Sequence, residues 1–184
     1  MYHRLFRAHK IVHPLHYAGP EALLSMVLAI MLFITPASAA MRMQQRSLYM
    51  NSTAPSETTF YTVSFQYMSA LAVGSVDMLF CQDPIPYHPC VTPPGLDVSN
   101  AALSEQSGET GFTISQQSTN HIVISRPPNM IAGSSTPSSY KFENIVNPTN
   151  VDEAFSIRLR SHASQDASGP QIDFGSVRGQ IQTG

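Results

Sequence analysis

Charge is scarce in this sequence. Of 184 residues, 10 are basic and 12 acidic, 12% in all, about half the ~25% usual in soluble globular domains. So few charges cannot lace a long exposed helix or a coiled coil with ion pairs. With a net charge of −2, ten basic residues leave no stripe able to hold a phosphate backbone. Tryptophan is absent, which removes the best side chain for stacking on sugar rings. Only two cysteines are present, too few for a multiply stapled scaffold or a Cys-rich zinc module. No nucleophile elbow, P-loop, dinucleotide-binding glycine pattern or H-E-x-x-H helix occurs, so no local motif names a reaction.

The N-terminus has its own character. Arg4, Arg7 and Lys10, with His3, His9, His13 and His16, precede the apolar run Ala22–Ile34. That run of 13 residues is short of the ~20 needed to span a bilayer as a helix. Thr35-Pro36 ends it, and Ala37-Ser38-Ala39-Ala40 supplies small residues in the A-x-A pattern. A basic region, a short apolar core and a small-residue cleavage site together make a secretory signal. Residues 1–40 are therefore expected to be a hydrophobic signal helix cut after Ala39 or Ala40, with an uncleaved anchor as the alternative. The prepilin pattern is excluded because Glu21 stands too close to Gly19 and the apolar run stops at a proline. Export would leave seven basic residues (Arg42, Arg46, Arg126, Lys141, Arg158, Arg160 and Arg178) against eleven acids, a net charge of about −4. Membrane contact is expected only through the N-terminal segment.

Beyond residue 40 the apolar period is two. Tyr61, Val63, Phe65 and Tyr67 alternate with Thr62, Ser64 and Gln66; Val76, Met78 and Phe80 alternate with Ser75, Asp77 and Leu79; Phe155, Ile157 and Leu159 alternate with Ser156, Arg158 and Arg160. These mark half-buried strands over Thr58–Met68, Val73–Cys81 and Ala154–Ser161, each with one dry face and one wet. Weaker strand signals lie at Arg46–Met50, Ala102–Gln106, Phe112–Ser115, His121–Ser125, Ser139–Val146 and Ile172–Val177. Between them, Pro93-Pro94-Gly95, Ser107-Gly108, Pro127-Pro128-Asn129, Asn147-Pro148 and Ala167 to Pro170 read as turns. The expected fold is all-β, one antiparallel Ig-like β-sandwich over residues 41–184.

Cys81 ends the second strand and Cys90 follows across Gln-Asp-Pro-Ile-Pro-Tyr-His-Pro. In an exported chain this pair is expected to form a disulfide. Cys81, His88 and Cys90 also suggest a metal site, but neither a Cys-x2-Cys nor a spaced His pair is present and the prolines stiffen the loop, so no metal or other cofactor is expected. Tyr87 and His88 at the loop's tip are the candidate ligand-binding residues.

Other candidates are weaker. Ser138-Ser139-Tyr140-Lys141 matches S-x-x-K without its partner motifs and reads as strand. His121 and His162, with His88, are the histidines left after export. They read as surface residues, with a triad assembled from distant positions as the rival. Asp166 and Asp173, with Asp152-Glu153, could offer calcium its oxygens, although acidic turns need no ion. Tyr49, Tyr67, Tyr87 and Tyr140 are available for sugar stacking, whereas Tyr61, Phe65 and Phe155 fall on core positions. Met41, Met43, Met50 and Met68 read as core filler, and Asn51-Ser52-Thr53 is a glycosylation sequon only in a eukaryotic source.

Several stretches carry a resemblance: residues 41–67, VGSVDMLFC (Val73–Cys81), TPPGLDVSNAAL (Thr92–Leu103), SGETGFTIS (Ser107–Ser115), IVISRP (Ile122–Pro127), FENIVNPTN (Phe142–Asn150) and FSIRLRSHASQDASGPQIDFG (Phe155–Gly175). Together they resemble uncharacterised secreted β-sandwich proteins of ultra-small, host-dependent bacteria. The resemblance covers essentially the whole mature chain and implies export and a structural fold, and it carries over no functional residue. The combined expectation is a secreted or cell-surface, non-enzymatic structural or adhesion module. Its partner would be a cell-surface protein or a glycan, met through strand edges and Pro-rich loops. A carbohydrate-binding module and a secreted hydrolase are the alternatives.

Overall fold

The computed structural model describes residues 40–131 and 137–182, all within one compact unit. The expected signal helix lies outside the described residues. Among the described residues there is no helix, and ten strands form two sheets: β1 (Met41–Arg42), β2 (Gln44–Met50), β3 (Thr58–Gln66), β4 (Ala72–Cys81), β5 (Ala102–Ser107), β6 (Thr113–Ser118), β7 (His121–Met130), β8 (Ser138–Val146), β9 (Ala154–His162) and β10 (Gln171–Gln180). The order is β1-β10-β9-β4-β7-β6 in the six-stranded sheet and β2-β3-β8-β5 in the four-stranded one. The fold is thus an all-β sandwich, and each of the nine sequence-predicted strands is present with its ends shifted by a few residues.

Alternation builds the core. Tyr61, Val63 and Phe65 of β3 and Tyr140, Phe142 and Ile145 of β8 face Val76, Met78 and Phe80 of β4, Ile122 and Ile124 of β7, and Phe155, Ile157 and Leu159 of β9, all buried. Burying one such side chain contributes about 1.5–3 kcal/mol. The tyrosine hydroxyls that go inside keep partners. Tyr61 donates to Asn147 Oδ1 at 2.7 Å, and Tyr140 donates to the Glu109 carbonyl at 2.9 Å while meeting the Tyr67 hydroxyl at 3.0 Å. Burial raises the pKa of all three phenols, that of Tyr140 to about 12. Tyr67 and Tyr140 are therefore core residues, not the sugar-stacking surface expected from their sequence positions. Ser138–Lys141 lies in β8, as the strand reading of that S-x-x-K match requires.

Four details depart from expectation. β1 runs parallel to β10, with Arg42 opposite Phe174, in an otherwise antiparallel ladder. At Met43, whose side chain is buried and whose N–H donates to the Phe174 carbonyl at 2.7 Å, the chain then crosses to the other sheet. Met43 fills the core, but Met41 is exposed. Pro127-Pro128 does not end β7: the register shifts between the pairs Val73↔Asn129 and Ser75↔Ser125, so the two prolines sit in a bulge, where the ladder asks for no N–H. Finally, the outer face of the six-stranded sheet is not wet throughout. Ser75, Ser156, Arg158 and His162 are buried on it, because two loops lie across it.

Candidate binding groove beneath the disulfide loop

The first covering loop is the one closed by Cys81 and Cys90, which form a disulfide with Cα atoms 5.1 Å apart. Val91 O accepts from Gln82 N at 2.9 Å, and the Asp83 carboxylate accepts from Ile85 N at 2.7 Å in an Asx turn. Arg158 fastens the loop from below. Its side chain, 3% exposed, rises from β9. Nε donates to the Asp83 carbonyl at 3.2 Å, Nη1 to the His88 carbonyl at 2.8 Å and Nη2 to the Asp83 carboxylate at 2.9 Å. A planar fork of donors suits such a three-point contact, which an ammonium could not match. The residues at the loop's tip are thus held by a covalent closure and by a buried guanidinium.

The second loop, residues 163–170, lies over Gly74, where a Cβ would come within 2.7 Å of the Ala163 carbonyl. Ser75 Oγ donates to the Ser164 carbonyl at 2.7 Å, and His162 Nδ1 meets the Gly169 carbonyl at 3.0 Å.

Beside the disulfide loop, over β9 and β10, the outer face opens into a groove of about 330 Å³ lined by Pro86, Tyr87, Arg158, Arg160, Gln171 and Phe174. Tyr87 is 96% exposed. The strand pairings Arg42↔Phe174, Phe174↔Arg160 and Arg160↔Asp77 place these four side chains in one row across the sheet. Arg160 Nε lies 4.0 Å from Asp77 Oδ2, and Asp77 Oδ1 is 2.6 Å from His121 Nε2. Among the described residues, no acidic side chain lines the groove.

Comparison with known proteins gives no family. No protein-family profile matches the chain, and no curated protein matches it. Among solved structures, the chain is similar to the crystal structure of BslA, a bacterial hydrophobin, at 8% identity and a TM-score of 0.43, covering 74% of this chain and 91% of that one. It is also similar to a chain from the crystal structure of a complex between a CaDoc0917 variant and CaCohA2, at 12% identity and a TM-score of 0.32, covering 76% and 100%.

The residues singled out in the sequence separate clearly. Tyr87 lines the groove, whereas His88 lies outside its lining and holds the loop through its carbonyl. The sulfurs of Cys81 and Cys90 are joined and so are not available as thiolate ligands. Asp166 and Asp173 do not converge on a calcium site. The exposed Asp166 carboxylate is held by Ser164 and Ser168, which lower its pKa to about 2. Asp173 turns inward, where Oδ1 accepts from Ser69 N at 3.2 Å and Ser69 Oγ at 2.8 Å; burial raises its pKa, and the Ser69 bonds offset this in part. Among the described residues no three His, Cys, Asp or Glu side chains converge. His121 has its Asp77 and His162 its carbonyl, yet among the described residues neither imidazole has a serine hydroxyl as partner. Tyr49 is also exposed, on the four-stranded sheet. Arg42, Arg160 and Phe174 escaped the sequence reading. Their signal is the reversed alternation at Asp173-Phe174, which puts the acid inside and the ring outside.

Proposed function

We propose that the protein is an exported, non-enzymatic β-sandwich that serves at the cell surface as an adhesion or binding module, with the disulfide loop and its groove as the contact surface. The observation that carries this reading is Tyr87: a large ring, 96% exposed, on a loop held by the Cys81–Cys90 disulfide and three bonds from Arg158. A tyrosine on a rigid support gives a large contact area at little entropic cost, and preorganisation lowers what binding must spend on ordering. The disulfide supports an oxidising location. Ile85 and Val91 add exposed apolar surface on or next to the same loop, as expected of a contact patch.

Fractionation of cells making the tagged protein, with intact-mass analysis of each fraction, tests this reading. Recovery at the surface or in the medium, oxidised and lacking residues 1–39 or 1–40, supports it. Recovery from the cytoplasm with free thiols refutes it. The hydrolase alternative requires turnover of a broad ester, peptide and glycoside panel that is lost in His121→Ala or His162→Ala.

A further inference from the structure

Charge is distributed unevenly around the groove. The exported chain would carry about four net negative charges, yet among the described residues the lining of the groove includes two guanidiniums and no carboxylate. Arg158 is occupied by the disulfide loop. Arg160 is not: its one acidic neighbour among the described residues, Asp77, stands at 4.0 Å from Nε and is itself engaged by His121. Arg42, exposed beside Phe174, has no acidic partner among the described residues. It instead lies near enough to Arg46 for repulsion to help burial lower the Arg46 pKa. Arg42 and Arg160 flank Phe174 in one cross-strand row, two strand spacings or about 9.5 Å apart.

We infer that this groove binds a carboxylate-bearing oligosaccharide, a uronic or sialic acid unit within a surface glycan. The inference rests on the Tyr87 contact loop proposed above and names its ligand class. The chemistry of each wall is complementary to such a sugar. Arg160 in the lining, and Arg42 outside it on the far side of Phe174 in the same row, present planar donors whose geometry suits a carboxylate. Tyr87 and Phe174 offer flat apolar faces for the C–H side of a pyranose ring. The Gln171 amide, in the same lining, can donate to and accept from ring hydroxyls. A volume of about 330 Å³ is at the small end of ligand pockets and fits one or two rings. A nucleic acid would need a longer basic track than two arginines provide. An acidic peptide would use the arginines but leave the two aromatic faces without a flat partner.

The test is titration calorimetry of the purified exported protein with trigalacturonate, sialyllactose, the methyl ester of trigalacturonate, a short single-stranded DNA and an Asp-rich peptide. At least one acidic sugar should bind. Where it is trigalacturonate, the ester should bind at least about tenfold more weakly, and Arg160→Gln or Arg42→Gln should each weaken the acid about tenfold or more, with Arg160→Lys retaining part of the affinity. Arg42 is exposed and Arg160 half-buried, and unchanged melting of each variant will show that the fold persists. Equal binding of ester and acid, tighter binding of DNA or peptide, or no binding of either acidic sugar at about 1 mM overturns the assignment. Tyr87→Ala separates the two layers. If it weakens acid and ester alike while the arginine variants change nothing, the contact loop stands and the acidic ligand falls. If the arginine variants weaken binding and Tyr87→Ala does not, the loop reading itself falls.

Discussion

Arg158→Met isolates the guanidinium that fastens the disulfide loop. Methionine retains the unbranched stem but removes all three hydrogen bonds, two to loop carbonyls and one to the Asp83 carboxylate. Hydrogen bonds involving a charged group contribute about 1.5–3 kcal/mol each when desolvated, and breaking one side of a buried pair costs about 3–5 kcal/mol. The loop side is not fully buried, since Asp83 is 34% exposed and can turn to water. The expected loss is therefore about 2–3 kcal/mol, which lowers Tm by roughly 5 to 10 °C for a domain of this size. Amide exchange should accelerate over residues 82–89 and stay unchanged in β3 and β8. The disulfide acts on the same segment: closing a ten-residue ring contributes about 2.7 kcal/mol on the chain-entropy account. A Cys81→Ser/Cys90→Ser background should then make Arg158→Met cheaper than in the oxidised protein, because an untethered loop must be ordered before Arg158 can hold it. Differential scanning calorimetry on the four combinations, with hydrogen exchange on each, reads both effects. An Arg158→Met variant with unchanged Tm and unchanged loop exchange would refute the argument.

Four further outcomes follow from the structure. Asp173, whose folded pKa is raised by burial, binds its proton more tightly in the fold, so its contribution to stability is greatest in acid and declines as pH climbs from the ordinary aspartate range through the folded value. Asp166, held down to about 2 by Ser164 and Ser168, has the opposite sign: its contribution is present above about pH 4 and is lost as pH falls toward 2. Urea midpoints against pH should show the first trend vanish in Asp173→Asn and the second in Asp166→Asn; identical slopes in wild type and variants would contradict both. Gly95 has φ +77° in the turn where Leu96 N meets the Pro93 carbonyl, and a Cβ there would run into Thr149, so Gly95→Ala should cost about 1–3 kcal/mol in denaturant unfolding. Tyr87→Ala should leave stability within about 0.5 kcal/mol of wild type, since the ring is exposed; a larger loss would mean that Tyr87 props the loop and does not serve contact.

Much of the sandwich was legible because an alternating strand records its own burial. Tyr61, Val63 and Phe65 face inward as their spacing demands. What alternation cannot record is cover arriving from elsewhere in the chain. Ser156, Arg158 and His162 carry the polar signature of a wet face and are buried under loops that only the fold brings back. Pro127-Pro128 reads locally as a stop, and only its partner strand shows that β7 bulges and continues. Tyr67 and Tyr140 look available because a hydroxyl suits the surface; inside, the two hydroxyls meet each other and a carbonyl. The groove was half visible. Tyr87 stands out in its proline-stiffened loop, but the row of Arg42, Phe174 and Arg160 draws on three strands distant in sequence, and no local window contains it.

The proposed role of the fixed, exposed Tyr87 is to make the protein's contacts. Flow cytometry of intact cells with the fluorescently labelled protein, comparing wild type with Tyr87→Ala of equal Tm, tests that directly. The wild type should stay bound to the cell surface and the variant should wash off; equal retention of both would contradict the claim.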